Sequence, residues 1–171
     1  MKPFLTNEYV GRSGVKYLFE YFDCDDFNVL PQDKISQCYA IAFHGDKFLI
    51  VNNTAKAGQY TPVGGTVEPG ENPDETLKRE IQEESNMKVT SFRPIGYQLV
   101  SDTTGVQKPY YQLRYFAIVE PIGPFIADPA GKVTEIVHCT KEDYKKYFDW
   151  GKIGDRIIER AMEFYEEYYS R

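Results

Sequence analysis

Residues 65–87 read GTVEPGENPDETLKREIQEESNM, and their punctuation marks out a helix more sharply than any other part of the chain. Asn72 is an N-cap residue: its short amide side chain can accept from backbone N–H groups that a first helical turn leaves without partners. Pro73 has no N–H to lose, and its φ is already close to the helical value. Glu75 stands three residues beyond the cap, as a capping box requires. Leu77 and Ile81, one turn apart, supply a narrow apolar stripe. The helix is expected to end near Ser85, because Asn86 tolerates the left-handed conformation that closes many helices.

Along that helix, Glu80, Glu83 and Glu84 fall at i, i+3 and i+4, which puts three carboxylates in one sector of its surface. Like charges repel there, and two of them face the negative end of the helix dipole. Each effect is worth only tenths of a kcal/mol in water, so a solvated acidic face is the plain alternative. The neighbours favour a site instead. Arg79 can clamp carboxylates through paired hydrogen bonds. Gly64-Gly65, expected as a glycine-rich turn just before the helix, can bring backbone atoms close to a bound ion or phosphate. Glu71, at the loop–helix junction, adds an oxygen donor. Clustered carboxylates with a backbone carbonyl form an all-oxygen set suited to Mg²⁺ or Mn²⁺, and magnesium suits phosphates. The residues therefore point to a divalent-metal site that handles a small phosphorylated substrate.

The remainder of the chain sets bounds on that reading. A length of 171 residues is that of one domain. With 20 basic and 26 acidic side chains the formal net charge is −6, a balance that argues against long nucleic acid as the main partner, since such binding relies on Lys and Arg displacing counterions. An acidic protein can still take small phosphates where divalent cations bridge the like charges. Three cysteines, Cys24, Cys38 and Cys139, fit neither a disulfide framework nor a zinc pattern and are expected to be reduced and buried. The first residues carry no apolar signal-peptide core. The longest charge-free apolar stretch, residues 35–45, is far short of the ~20 residues a membrane helix needs. A soluble, cytoplasmic protein with no membrane partner is expected.

Strands are expected at residues 15–22, 37–43, 47–52, 89–100, 110–119 and 133–139, with 37–43 and 47–52 paired as a hairpin. Helices are expected at 141–148 and 154–169, the second with Ile157, Ile158, Ala161, Met162, Tyr165 and Tyr168 on one face. Residues 55–59 and the Pro/Gly-rich stretch 120–131 read as loops. The pattern is α+β (mixed α/β). Residues 1–171 are expected to form one domain, in which an extra N-terminal strand and a C-terminal amphipathic helix pack onto the same core.

Residues 65–87 closely resemble the Nudix box, G-x5-E-x7-R-E-U-x-E-E-x-G-U with U aliphatic. Gly65 matches the opening glycine and Glu71 the first glutamate. Arg79, Glu80 and Ile81 match R-E-U, Glu83 and Glu84 match the paired glutamates, and Met87 matches the closing apolar position. Asn86 replaces the usual glycine but can hold the same left-handed cap. The resemblance spans 23 residues and implies a Nudix-type αβα sandwich with a mixed central sheet. It also implies hydrolysis of the pyrophosphate bond of a nucleoside diphosphate linked to another moiety, such as a nucleoside triphosphate or a nucleotide sugar. Under it, Glu80, Glu83 and Glu84, with the Gly64 carbonyl, hold Mg²⁺ or Mn²⁺. Arg79 orients the glutamates, and Gly65 and Glu71 support the loop–helix geometry. The catalytic set is Glu80, Glu83 and Arg79, with the general base assigned to Glu83 or Glu80 and Glu135 as an outside candidate.

For substrate contacts, Tyr60 is the best-placed aromatic and Phe43 and Tyr111 are weaker ones, while Lys108 and Arg114 are candidate phosphate contacts. The resemblance leaves a homodimer open, although the tyrosine-rich C-terminal helix is read as packed on its own sheet. Two other classes compete. One is a non-catalytic Nudix-fold nucleotide sensor or regulator, in which box acids are usually eroded, whereas every acid is present here. The other is a Nudix-related isomerase, to which nothing beyond the box points.

Overall fold

The computed structural model describes residues 2–11, 13–54, 59–126 and 131–170. Among these, eight strands make one mixed sheet: β1 (Leu5–Val10), β2 (Lys16–Asp23), β3 (Ile35–His44), β4 (Lys47–Asn53), β5 (Gln59–Thr66), β6 (Met87–Asp102), β7 (Tyr110–Pro121) and β8 (Val133–Cys139). Helix α1 (Pro73–Ser85) lies between β5 and β6 in the chain, and α2 (Gly151–Tyr169) follows β8. The spatial order is β1-β2-β6-β7-β3-β5-β4-β8, in which β3 and β7 run parallel and their neighbours antiparallel. The parts of the expected loops at 55–58 and 127–130 lie outside the described residues.

Side-chain alternation on the central strands explains why a helix covers each face. On β3, Cys38, Ala40 and Ala42 join Leu77 and Ile81 of α1 in one apolar cluster, together with Val63 of β5 and Leu113 of β7. Small residues on that face leave room for α1 to seat closely. The intervening Ile41 and Phe43 join Phe116 and Ile118 of β7 and Ile153, Ile157, Ile158 and Ala161 of α2 in a second cluster. A strand apolar on both faces is what a sheet covered on both sides requires. Helix α2 is further tied down by Arg156, which pairs with Asp23 at 2.7 Å, and by Arg160, whose Nε donates to the Ile95 carbonyl at 2.7 Å.

The α+β sandwich and its mixed sheet are as expected, with local departures. The hairpin of β3 and β4 is real only at its tip, where Phe43 faces Phe48 and His44 faces Lys47. Beyond the tip the strands diverge and β5 inserts between them, pairing with β3 at 37–40 and with β4 at 50–53. Gly64-Gly65 is consequently not a turn but part of β5, opposite Tyr39 and Cys38. The N-terminal strand is two strands, because Leu5–Val10 pairs along β2. That strand is mostly exposed and lacks the apolar alternation that would reveal it. Residues 141–148 form a turn and one 3-10 turn, Tyr144–Lys146, rather than a helix. One turn suffices to bury Tyr144 and Phe148, and so short a segment cannot offset the cost of helix nucleation by itself. Cys38 and Cys139 are buried and Cys24 is partly exposed, all three as free thiols. Among the described residues no helix is long and apolar enough to cross a membrane.

Helix α1 carries the capping box read from the sequence. The Asn72 side chain accepts from the N–H groups of Asp74 and Glu75, Glu75 accepts in return from the Asn72 N–H, and Asn86 closes the helix at φ 53° and ψ 38°. Replacing Asn72 with alanine removes one side of this exchange. Asn72→Ala is expected to lower unfolding free energy by about 1 kcal/mol in a denaturant titration.

Candidate active site

The site is assembled from strand β5, the loop after it and the last two turns of α1. Arg79 stands at its centre. Its Nε donates to Glu71 Oε1 at 2.7 Å and its Nη2 to Glu71 Oε2 at 3.0 Å, a two-pronged clamp across the loop. Nη2 also donates to the Thr66 carbonyl at the end of β5, at 3.2 Å. Nη1 turns the other way and donates to Glu80 Oε1 at 2.9 Å and Glu83 Oε2 at 3.3 Å. One guanidinium therefore joins the strand end, the loop and the helix. Glu71 accepts two further bonds, from the Thr76 hydroxyl at 2.8 Å and the Glu68 N–H at 3.3 Å. These donors, Arg79 foremost, hold its carboxyl down at about 2. The same carboxylates push the Arg79 guanidinium above its ordinary range, so it stays charged.

The glycines leave room for the Glu80 carboxylate on one side and for strand β3 on the other. A side-chain carbon on Gly65 would collide with the Glu80 carboxylate where it now lies. Gly64 adopts φ +141°, where a side-chain carbon would collide with the Cys38 carbonyl oxygen on β3. With both positions bare, the Gly64 N–H donates to Glu84 Oε2 at 2.9 Å, and Glu84 is buried. Glu83 is the most open of the three helix carboxylates, with 40% of its side chain exposed against 15% for Glu80.

The structure thus brings Glu71, Arg79, Glu80 and Glu83 into one ion-pair cluster and turns Glu84 onto the Gly64 backbone. Glu71, Glu80 and Glu83 outnumber the single guanidinium, so an excess of negative charge remains at the seam of β5 and α1. Among the described residues no three carboxylate, imidazole or thiol groups already surround a common point as a metal shell would. The donor chemistry nonetheless fits a hard divalent cation: oxygen atoms only, excess negative charge, and a glycine backbone that lets carboxylates approach.

Other residues singled out from the sequence divide into two groups. Tyr60 and Glu135 lie together, with the Tyr60 hydroxyl donating to Glu135 Oε2 at 2.7 Å. Accepting that bond, the Glu135 carboxylate raises the Tyr60 phenol above its ordinary value. Tyr60 packs edge-on against Tyr147 at 5.3 Å and lines a cavity of about 570 Å³ on the α2 face of the sheet, with Arg114 in the same wall. Phe43 is instead buried between Phe48, Phe116 and Tyr165. Tyr111 points to the opposite face and packs on Tyr97. Lys108 is exposed. Trp150, Gln98 and Gln112 also line the cavity and carried no sequence motif. The one usable signal was a charged residue inside an otherwise apolar strand, Leu113-Arg114-Tyr115-Phe116.

A model of the NUDIX domain matches residues 35–160. The chain belongs to the Nudix family. The box residues described above lie inside that match. The Nudix chain is 30% identical over 90 residues to the NAD-capped RNA hydrolase NudC of Vibrio atlanticus (strain LGP32), an alignment covering 52% of this chain and 34% of that protein. With the NAD-capped RNA hydrolase NudC of Vibrio cholerae serotype O1 it is 28% identical over 134 residues, covering 67% and 50%. It spans between about a third and a half of the length of these curated relatives. Among solved structures, the Bacillus subtilis pyrophosphohydrolase BsRppH shares the fold with a TM-score of 0.66 at 22% identity, covering 92% of this chain and 96% of that one. A C. elegans Ap4A hydrolase binary complex gives a TM-score of 0.52 at 16% identity over 78% of this chain and 98% of that one.

The depressed Glu71 carboxyl has a consequence for stability. Its folded value of about 2 lies below the ordinary 4.5, so the ionised form stabilises the fold above the ordinary value, and this contribution is lost as pH falls toward 2. Glu71→Gln is expected to be less stable than the unaltered protein at neutral pH. In thermal unfolding the gap between the two should close between about pH 4.5 and pH 2. A gap independent of pH would detach Glu71 from the Arg79 clamp.

Proposed function

We propose that this Nudix chain is a Mg²⁺- or Mn²⁺-dependent hydrolase that cuts the pyrophosphate bond of a nucleoside diphosphate linked to another group. The observation that carries the reading is the excess of box carboxylates around Arg79, held against a glycine backbone. Glu80, Glu83, Glu84 and the Gly64 carbonyl would hold the cation. When bound, it supplies charge neutralisation of the phosphate oxygens and a water of lowered pKa. Arg79 fixes the direction of Glu80 and is itself fixed by Glu71. Glu84, bonded to the Gly64 N–H, sets the spacing between helix and strand. Glu83 is the carboxylate best exposed to accept the proton of an attacking water, and Glu80, closer to Arg79, is the second choice. Glu135, the outside candidate for the base, accepts from the Tyr60 hydroxyl at 2.7 Å.

Substrate choice is tested across classes. Nucleoside triphosphates, nucleotide sugars, ADP-ribose and dinucleoside polyphosphates follow from the family. NAD and NAD-capped RNA join them because curated relatives carry that activity in their names. The net charge of −6 favours the small nucleotides. Metal-dependent release of a nucleoside monophosphate, phosphate or pyrophosphate from at least one of them is the expected result. No turnover with either metal on the whole panel would instead support a nucleotide-binding sensor. On the substrate found, Glu83→Gln should lower kcat by about 10²–10⁴-fold with an unchanged circular dichroism spectrum. Glu84→Gln should also lower it by orders of magnitude. Undiminished rates in both would remove these residues from the site.

A further inference from the structure

Arg114 is the observation that the box does not explain. It projects from the middle of β7 and is only 4% exposed. A buried cation normally carries a carboxylate partner, because removing a charge from water without compensation is strongly unfavourable. Among the described residues none pairs with it. Its neighbours are neutral: Nη1 donates to the Leu113 carbonyl at 2.9 Å, and Nη2 donates to Gln112 Oε1 at 2.8 Å and to Gln98 Oε1. Nε has no hydrogen-bond partner among the described residues. Burial pulls the guanidinium down to about 10, still charged at neutral pH.

The surroundings are built rather than accidental. Gln112, which accepts from Arg114, also donates to Gln37 Oε1 at 2.9 Å, so a chain of amides holds the guanidinium in place. The rings of Tyr39 and Trp150 lie 5.3 and 5.5 Å from it. All of these groups line the 570 Å³ cavity, which is of a size usual for small-molecule sites. Among the described residues the one acid in the cavity wall is Asp149, which accepts from the Gly151 N–H at 2.8 Å and does not pair with Arg114.

Register ties the cavity to the box. Arg114 lies opposite Tyr39 across β7 and β3, and Tyr39 lies opposite Gly64 across β3 and β5. Two strand spacings put the backbones of Arg114 and Gly64 about 10 Å apart. The cavity lies on the α2 face of these strands and the box glutamates on the α1 face, so the two are neighbours along the sheet on opposite sides of it.

We propose that this cavity binds the phosphate of a nucleotide, with Arg114 as its charge partner and Tyr39, Tyr60 and Trp150 flanking the attached ring. Neutral acceptors already surround the two Nη groups, so what the site lacks is negative charge. That the ligand is a nucleotide rests on the reading of the box as a nucleotide-hydrolysing site; the binding of phosphate at Arg114 does not.

The test uses the emission of Trp150, the single tryptophan of the chain. The full protein is titrated in EDTA, where the uncompensated box carboxylates repel anions, with adenosine, guanosine, cytidine and uridine and with their 5′-monophosphates. At least one monophosphate is expected to bind about tenfold or more tighter than its nucleoside. Arg114→Gln should bring that ratio close to one, and Arg114→Lys should keep part of it. No saturable change with any ligand, equal binding of nucleoside and nucleotide by the unaltered protein, or a preference that survives in Arg114→Gln would each overturn the proposal. The first two outcomes need no variant to fold. A protein that hydrolyses a panel substrate but shows no phosphate preference loses this assignment and keeps the reading of the box. One that binds phosphate through Arg114 but hydrolyses nothing loses the reading of the box and keeps this assignment.

Discussion

A single guanidinium decides whether three neighbouring glutamates form a site or a source of repulsion. Glu71 reaches Arg79 from a loop, while Glu80 and Glu83 reach it from the helix that also carries Arg79. Without a shared cation the helix carboxylates would repel one another and turn outward into water. With it, each acquires a direction, and the strand end is drawn in through the Thr66 carbonyl. The remaining negative charge is then confined to one seam rather than spread over a face. The acidity of the whole chain, which argues against polyanions, is locally an all-oxygen donor set of the kind that suits divalent cations.

That seam depends on the sheet beneath it. Insertion of β5 between β3 and β4 sets Gly64 tight against the β3 backbone and leaves Gly65 bare where the Glu80 carboxylate lies. Close approach of α1 is possible because the facing residues of β3 are Cys38 and two alanines. The opposite face is built on another scale. There Ile41, Phe43 and Phe116 meet α2, and where the helix ends its cover, the polar residues Gln37, Gln112 and Arg114 take over the same alternation. The box carboxylates and the cavity thus occupy opposite sides of neighbouring strands.

Much of the helix and its acids was legible from spacing alone. Asn72, Pro73, Glu75 and Asn86 are local signals, since caps act on backbone groups a few residues away and need no tertiary partner. The box positions are likewise local, because a helix turns its own residues i, i+3 and i+4 to one side. The strand β1 was not legible: its stabilisation is backbone pairing with β2, which leaves no apolar imprint on Leu5–Val10. The helix expected at 141–148 failed for the converse reason. Its spacing was helical, but Tyr144 and Phe148 reach the core from a single turn.

By itself, then, the sequence determined the family, the α+β sandwich, the ends of α1 and the cluster of residues that carries the box. Only the tertiary structure decided that Gly64-Gly65 is strand rather than turn, because β5 reaches its place through pairing with strands far away in the chain. Only it separated Tyr60 and Arg114, which line a cavity, from Phe43 and Tyr111, which fill cores. In the sequence Phe43, Tyr111 and Arg114 are all large side chains on expected strands, and Tyr60 stands between a loop and a turn. Which face a strand residue occupies, and whether a helix covers that face or stops short of it, is settled by contacts between distant segments.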